Sequence, residues 1–341
     1  MMQKIRWGIL SSGYIANLFA EGLTAVADAE IAAVGARKQA DADAFGDRWN
    51  VPRRYQGYEA LANDPDVDVI YIGTPHPYHY EHTLLCLDAG KHVLIEKPFA
   101  LNARQAGEMI ARARSKALFL MEAMWTRFLP AMVQVRRWLA EGAIGEVQLV
   151  RANLSFMATF DPRGRLFAPE LGGGSLLDVG IYPISFASMV LGSPQTISST
   201  VALGPTGTDD RSAYLFGYEG GKTALLSSAV QLGVPVTAEI FGTEGYIQIH
   251  ESWINPRVVT LNKPVQPGVQ SRLIVEGNLF DAQTVHVPTV GNGYNYEAIE
   301  VGDCIRAGKT ESSVLPLDES LDIMRTLDTI RAPWGLTYPG E

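Results

Sequence analysis

The sequence predicts an α/β domain built on a parallel sheet, followed by an α+β domain with a large, mostly antiparallel open sheet. Three observations predict it. Over the first 120 residues, short and nearly unbroken apolar runs alternate with amphipathic segments of helical period. A strand that is apolar on both faces is buried on both, which calls for helices on either side and a parallel sheet. After residue 145, strand-like alternation recurs with only turn signals in between, as in antiparallel pairing with one covered face. The third observation is size. The 341 residues, 47% of them hydrophobic, correspond to about two domains at roughly 100–200 residues each, both large enough to bury a core.

Taken in order, Ile5-Arg-Trp-Gly-Ile-Leu10 reads as the first buried strand, and residues 14–26 as a helix with Ile15, Leu18, Phe19 and Leu23 on one face. Residues 30–36 form the second strand and 39–49 an alanine-rich helix. The third strand, 67–72, ends at Gly73-Thr-Pro75. Helix 78–89, strand 92–96, helix 102–115 and strand 117–121 complete a five-stranded unit. In the second domain, strands are expected at 147–156, 197–203, 213–218, 223–231, 236–241 and 246–250. Tyr218-Glu-Gly-Gly-Lys222 and Gly242-Thr-Glu-Gly245 supply turns. A helix over 175–191 and two late helices, near 295–307 and 317–331, provide the cover. The expected domains are residues 1–122 and 123–341, with the C-terminal helices in position to pack back on the first.

Composition narrows the function. The 28 basic and 37 acidic side chains give a net charge of −9, which argues against nucleic acid or an anionic membrane surface as partner through bulk charge. Cys86 and Cys304 are too few for a disulfide framework and sit in no zinc-ligand spacing. Lys4 and Arg6 ahead of an apolar stretch imitate a secretion signal, but Ser11-Ser12-Gly13 splits that stretch into a strand and a helix. No run approaches the 18 or so unbroken apolar residues of a membrane span. A cytoplasmic protein without membrane or nucleic-acid partner is expected. His76, His79 and His82 invite a metal reading, but Pro77 interrupts the helix that would align them and no second ligand group lies nearby. No metal is expected.

A parallel sheet binds its ligand at the carboxyl ends of its strands, so the residues after each strand matter most. After the first, Ser11-x-Gly13-x-x-Ala16 stands where a dinucleotide pyrophosphate meets a helix N-terminus. Gly13 admits close backbone approach, Ala16 permits tight helix packing, and Tyr14 and Ile15 open the helix. The plain alternative is an ordinary strand–helix turn. After the second strand, Arg37-Lys38 supplies two cations and no acid, a pattern that fits a ribose 2′-phosphate better than a free 2′-hydroxyl. Here the alternative is a pair of solvated surface charges. The expected fold is thus a nucleotide-binding α/β domain, with NADP as cofactor. After the fourth strand stands Glu96-Lys97-Pro98, whose lysine either faces the ligand crevice or pairs with Glu96 at the rim. In the second domain, Gly172-Gly-Gly-Ser-Leu-Leu-Asp178-Val-Gly-Ile-Tyr182 sets a carboxylate and a phenol four residues apart on one helical face. These either hold and protonate a substrate oxygen, or serve as a capping box from Ser175 with a packed tyrosine.

Together these motifs resemble the Gfo/Idh/MocA family of NAD(P)-dependent sugar oxidoreductases, whose signature is the Glu96-Lys97-Pro98 triplet. Within it the likeness is strongest to the group of dimeric dihydrodiol dehydrogenases and NADP-dependent D-xylose 1-dehydrogenases. It runs through Arg6-Trp-Gly-Ile9, Ala36-Arg37, Gly73-Thr-Pro-His-Pro77, residues 118–128, the glycine turn before Asp178, and Gly242-Thr-Glu-Gly245. The resemblance implies a Rossmann domain, a cis Lys97–Pro98 peptide and catalytic roles for Lys97, Tyr182 and Asp178. Lys97 would orient the reacting hydroxyl and lower the pKa of Tyr182. It places Ser11, Gly13, Tyr14, Ile15, Arg37, Lys38, Thr74, Pro75, His76, His79, Glu96 and Lys97 around the cofactor. Trp125, Arg127, Phe156 and Phe280 would line the substrate.

The activity these readings imply is hydride transfer between NADP and a hydroxyl-bearing carbon of an aldose or a cyclic dihydrodiol, in a homodimer formed through the C-terminal sheet. Two alternatives stand beside it: an NADPH-dependent reductase of carbonyls or anhydrosugars, and a catalytically silent NADPH-binding sensor. A sensor has no use for the Lys97–Tyr182 proton-transfer pair.

Overall fold

The computed structural model describes residues 4–250, 252–265 and 280–341. Its first sheet comprises β1 (Ile5–Leu10), β2 (Ala29–Ala36), β3 (Arg53–Gln56), β4 (Val69–Ile72), β5 (His92–Glu96) and β6 (Leu120–Ala123), in the order β3-β2-β1-β4-β5-β6. Every pair is parallel. Crossovers are made by α1 (Tyr14–Leu23), α2 (Gln39–Trp49), α3 (Glu59–Ala62), α4 (His79–Asp88) and α5 (Ala103–Ser115). This is the Rossmann order, with the ligand crevice where chain direction reverses, between β1 and β4.

The sequence reading missed β3, and its chemistry explains why. Arg53-Arg-Tyr-Gln56 is an edge strand whose arginines face carboxylates, Arg53 on Asp64 and Arg54 on Asp47, so it carries no apolar signature. The central strands do carry one, since all of Val69–Ile72 is buried. Beneath the crevice, Phe19 stacks flat on Tyr71 with centroids 3.8 Å apart, and Trp7 meets Phe19 edge-on at 5.1 Å. That aromatic column ties α1 to β1 and β4, and so fixes the turn bearing Ser11 and Gly13 relative to the strand ends.

Helix α6 (Pro130–Ala140), also unforeseen, has a proline in its first turn and buries Ala131, Met132, Val135 and Trp138. The second sheet runs β14-β13-β12-β11-β7-β10-β9-β8. Its strands are β7 (Val147–Ser155), β8 (Thr196–Leu203), β9 (Asp209–Gly217), β10 (Thr223–Ala229), β11 (Ala238–Gly242), β12 (Gly245–Ile249), β13 (Val258–Pro264) and β14 (Phe280–His286). Only the β7–β10 pair is parallel; all others are antiparallel. Its inner face carries one π-helical turn (Leu176–Gly180) running into α7 (Ile181–Leu191). Along β9 and β10, residues alternate between buried Tyr214, Phe216, Ala224 and Leu226 and exposed Leu215 and Leu225. The stretch Pro169–Leu191 is long and apolar enough to cross a membrane by composition, but it is mostly buried as the core helix of this domain.

The last helices, α8 (Asn295–Arg306) and α9 (Leu317–Arg331), return to the first domain: α8 packs on α1, and α9 on α5 and β6. The Ala103 N–H donates to Asp328 Oδ2 at 2.8 Å.

Candidate active site

The carboxyl end of β5 delivers Glu96-Lys97-Pro98, with the Lys97–Pro98 peptide cis. From the opposite side, the π-helical turn delivers Asp178, and the first turn of α7 delivers Tyr182. Lys97 Nζ donates to the Asp178 carbonyl at 2.9 Å and to its Oδ1 at 3.3 Å, and lies 5.0 Å from the centre of the Tyr182 ring. The local sequence makes that first bond available. Within the turn the Ile181 N–H bonds the Leu176 carbonyl five residues back, and the same spacing would assign the Asp178 carbonyl to residue 183. Residue 183 is proline and has no N–H to give, so that spacing supplies the carbonyl with no backbone donor.

Electrostatics follow from burial and pairing. Burial opposes the Lys97 charge, but Asp178, then Tyr182 and Glu96, outweigh it and raise the Lys97 pKa above the ordinary lysine value. Burial also pushes Asp178 upward, yet Lys97 and Arg165 together hold it far below the usual carboxylate range. Tyr182 is raised by burial, with Lys97 the leading opposing influence. Lys97 thus pulls this phenol downward as expected, and burial outweighs the pull. The Tyr182 hydroxyl accepts a hydrogen bond from Trp125 Nε1 at 3.1 Å, and Trp125 stacks on Tyr294 at 4.6 Å. Behind Lys97, Glu96 accepts from the Tyr71 hydroxyl at 2.6 Å and from the Lys97 N–H at 3.2 Å. Burial raises both Glu96 and the fully buried Glu297 of α8, which is also raised by its neighbour Glu96.

Several residues join the site without a sequence signal. Arg165 leads them: its Nη1 and Nη2 donate to Asp178 Oδ1 at 2.5 Å and Oδ2 at 3.3 Å, and its side chain is half exposed at the mouth. It lies in the loop before the glycine turn, where no periodicity marks it. Tyr294, just before α8, and Glu297 on it arrive from far along the chain.

The proposed dinucleotide-binding positions gather at the mouth. Ser11 has φ +122°, and its Oγ accepts from the Gly13 N–H at 3.1 Å. Gly13 starts α1 with no side-chain cap and no acid in the first turn, so the helix N-terminus presents free amide donors of the kind that cradle phosphate. Tyr14 is exposed beside it and Ile15 half-buried. Arg37 and Lys38 are exposed after β2, with Arg37 near Tyr58. Thr74, Pro75 and His76 follow β4. His76 Nδ1 faces the Gly172 carbonyl at 3.1 Å and must donate to it, which leaves Nε2 unprotonated, 3.9 Å from Asp178. Burial keeps this imidazole neutral, with its pKa well below the usual value. The approach to Asp178 is therefore not an ion pair.

Three expected contacts are corrected. His79 is fully buried, its ring nitrogens 2.8 Å from the Pro98 and Thr74 carbonyls; it links the ends of β4 and β5, with both ring nitrogens taken up by backbone. Arg127 is buried and donates to the Ser185 carbonyl and hydroxyl and to Glu319, so it clamps α7 to α9 rather than lining the pocket. Arg127→Met is expected to lower unfolding free energy by about 3 kcal/mol, as for breaking a largely buried ion pair, while substrate KM stays unchanged; denaturant melts and steady-state kinetics check both. Phe280 lies on the outer face of the second sheet, edge-on to Tyr246 at 5.1 Å, which puts the sheet between it and Tyr182. Phe156 is exposed just beyond β7. Among the described residues no group of three or more metal-ligating side chains comes together.

Residues 5–124 match the oxidoreductase family model of NAD-binding Rossmann fold, and residues 132–248 match the Gfo/Idh/MocA C-terminal domain. The chain is 39% identical to mouse trans-1,2-dihydrobenzene-1,2-diol dehydrogenase, over 99% of both chains. It superposes with a TM-score of 0.83 on a 3-ketoreductase from Actinomadura kijaniata solved with NADP and TDP-benzene, at 25% identity and covering 97% of this chain and 98% of that one. An aldose-aldose oxidoreductase from Caulobacter crescentus shares the fold, with TM-score 0.84 at 23% identity and 97% coverage of each. A Rossmann sheet with an uncapped α1 N-terminus, a Glu-Lys-Pro strand end and two matching domain models has one reading: the chain belongs to the Gfo/Idh/MocA family of nicotinamide-dependent oxidoreductases.

Proposed function

We propose that this protein is an NADP-dependent dehydrogenase acting on a hydroxyl-bearing carbon of a cyclic diol or sugar. The observation that carries the reading is the convergence of Lys97, Asp178 and Tyr182 at the carboxyl end of the parallel sheet, opposite the free amide donors of α1. The bound nicotinamide supplies the hydride acceptor or donor. The chain's own residues handle alignment and the proton. Tyr182 removes the hydroxyl proton in oxidation and returns it in reduction, steadied by the Trp125 N–H. Lys97 places a fixed positive charge beside the phenol and stabilises the anion that forms there. Asp178 holds Lys97 from one side and Arg165 from the other, and thereby sets the width of the substrate mouth. The relatives named for dihydrodiol dehydrogenation support the diol substrate, and the nature of the site suits sugars equally.

The cofactor preference rests on Arg37. An arginine at the end of β2 grips a 2′-phosphate with paired, charge-assisted hydrogen bonds. Arg37→Ala should raise the KM for NADP⁺ by about 10–100-fold, the loss of a charge-assisted bond of roughly 1.5–3 kcal/mol, and leave NAD⁺ nearly unaffected. Equal losses for both would remove Arg37 from phosphate recognition. The whole reading is tested by following absorbance at the NADPH band with dihydrodiols, aldoses and, in reverse, dicarbonyls. Turnover on one class supports it, whereas tight NADPH binding with silence across all of them returns the sensor reading.

A homodimer through the outer face of the second sheet is part of the same proposal. That face exposes Leu215 and Leu225 and groups Phe241, Tyr246 and Phe280 into one aromatic row, an apolar surface of the kind that marks association. Light scattering on Leu225→Lys, expected to give monomers, tests it.

A further inference from the structure

The catalytic turn has an anchor outside the site. Asp209, the first residue of β9, is fully buried, and its Oδ2 accepts the Leu176 N–H at 2.6 Å. Leu176 opens the π-helical turn that carries Asp178 and leads into Tyr182. The fit around the carboxyl group is tight. Gly174 has φ +116°, and a Cβ there would stand 2.2 Å from Asp209 Oδ1. The glycine-rich turn therefore wraps backbone against this carboxylate, which explains the glycine at 174 independently of any ligand. Beside it, Ser175 Oγ donates to Ser228 Oγ at 2.7 Å, fixing the same turn to β10.

We infer that Asp209 is a positioning residue for hydride transfer. By holding the Leu176 amide it fixes the π-helical turn in the register that offers the Asp178 carbonyl to Lys97 and sets Tyr182 against the reacting hydroxyl. The inference rests on the dehydrogenase reading of the Lys97–Asp178–Tyr182 cluster. Asp209 touches neither substrate nor cofactor, so its loss should lower kcat and leave the cofactor KM alone, because the α1 N-terminus lies on the other domain.

The surroundings add a pH signature. Asp210 and Tyr214 on β9 and Tyr338 near the C-terminus lie close enough to act on the carboxyl, and behind Tyr338 stand Arg331, 5.5 Å over its ring, and Glu341. Burial is the main influence on Asp209 and pushes its pKa up to about 7. The folded protein then binds a proton that the unfolded chain, with an ordinary carboxylate pKa, releases near pH 4. Stability from this group is full below that range and declines as pH rises through about 7.

The experiment compares Asp209→Ala and Asp209→Asn with the wild type, using steady-state kinetics, hydrogen exchange of the peptide spanning 174–182, and melting temperature from pH 5 to 8. Expected are a kcat at least tenfold lower in Asp209→Ala with NADP⁺ KM within twofold, faster exchange at 174–182, and recovery of most of kcat in Asp209→Asn, which keeps an acceptor oxygen. The Asp209→Asn melting temperature should gain on the wild type as pH rises. Unchanged exchange and unchanged kcat in Asp209→Ala overturn the inference, as does a loss shared equally between kcat and cofactor KM. If Asp209→Ala does not fold, Asp209→Ser, whose shorter side chain does not span to the Leu176 amide, takes its place, and unchanged exchange at 174–182 with unchanged kcat overturns the inference. Wild-type protein without turnover on any substrate would instead refute the dehydrogenase reading, and the exchange data would still judge the anchor.

Discussion

Lys97→Met is expected to abolish nearly all turnover while NADPH still binds. General acid–base machinery contributes about 10²–10⁴-fold, and Lys97 serves it twice: it stabilises the phenolate of Tyr182 and it orients Asp178. A fall in kcat of roughly 10³-fold or more is therefore the expected result. Methionine fills much of the lysine stem, and Asp178 keeps its paired contact with Arg165, so the protein should stay folded. The carboxyl of Asp178 should then titrate at higher pH, because Lys97 is the largest influence holding it down. Fluorescence titration with NADPH separates the cases. Retained binding with lost turnover places Lys97 in the chemistry. Retained turnover removes it from the mechanism, and loss of both would make it a cofactor ligand first.

What was legible in the sequence divides by physical cause. Strands buried on both faces were readable because burial imposes unbroken apolar composition, as in Val69–Ile72. The edge strand β3 was not, because its arginines are satisfied by ion pairs and carry no period. The catalytic side chains were readable as separate motifs, but their meeting was not: Lys97 and Asp178 are 81 residues apart, and only the packing of two domains brings them within hydrogen-bond reach. Arg165 lies on a loop, where residue type follows function and not periodicity. Tyr294 and Glu297 depend on α8 folding back over α1. The misplaced residues were carried over from the resemblance, which transfers a position along the chain but not the direction in which its side chain points. Arg127 follows Trp125 by two residues, yet points into the seam between α7 and α9 while Trp125 reaches Tyr182. Phe280 has the right chemistry for a pocket wall and the wrong face of the sheet.

Tyr182→Phe carries the second large effect, and its pH dependence assigns the proton. In oxidation the active form is the phenolate. Burial raises the Tyr182 pKa above the usual value near 10, so kcat/KM for oxidation should climb about tenfold per pH unit through the neutral range, with no plateau below the phenol's pKa. Reduction uses the neutral phenol, so its rate should stay flat over the same range and fall only at alkaline pH. Phenylalanine removes the titrating group, lowering kcat by about 10²–10⁴-fold and erasing the alkaline climb in whatever activity remains. It also leaves the Trp125 N–H without its acceptor, a cost of about 1–3 kcal/mol for a buried donor, visible as a lower melting temperature. Trp125→Phe shares none of the loss of slope, so the two effects separate. An alkaline slope that survives in Tyr182→Phe would move the base to Lys97. Its raised pKa makes that outcome the costlier one, because a neutral lysine beside Asp178 would give up the contacts that hold the site together.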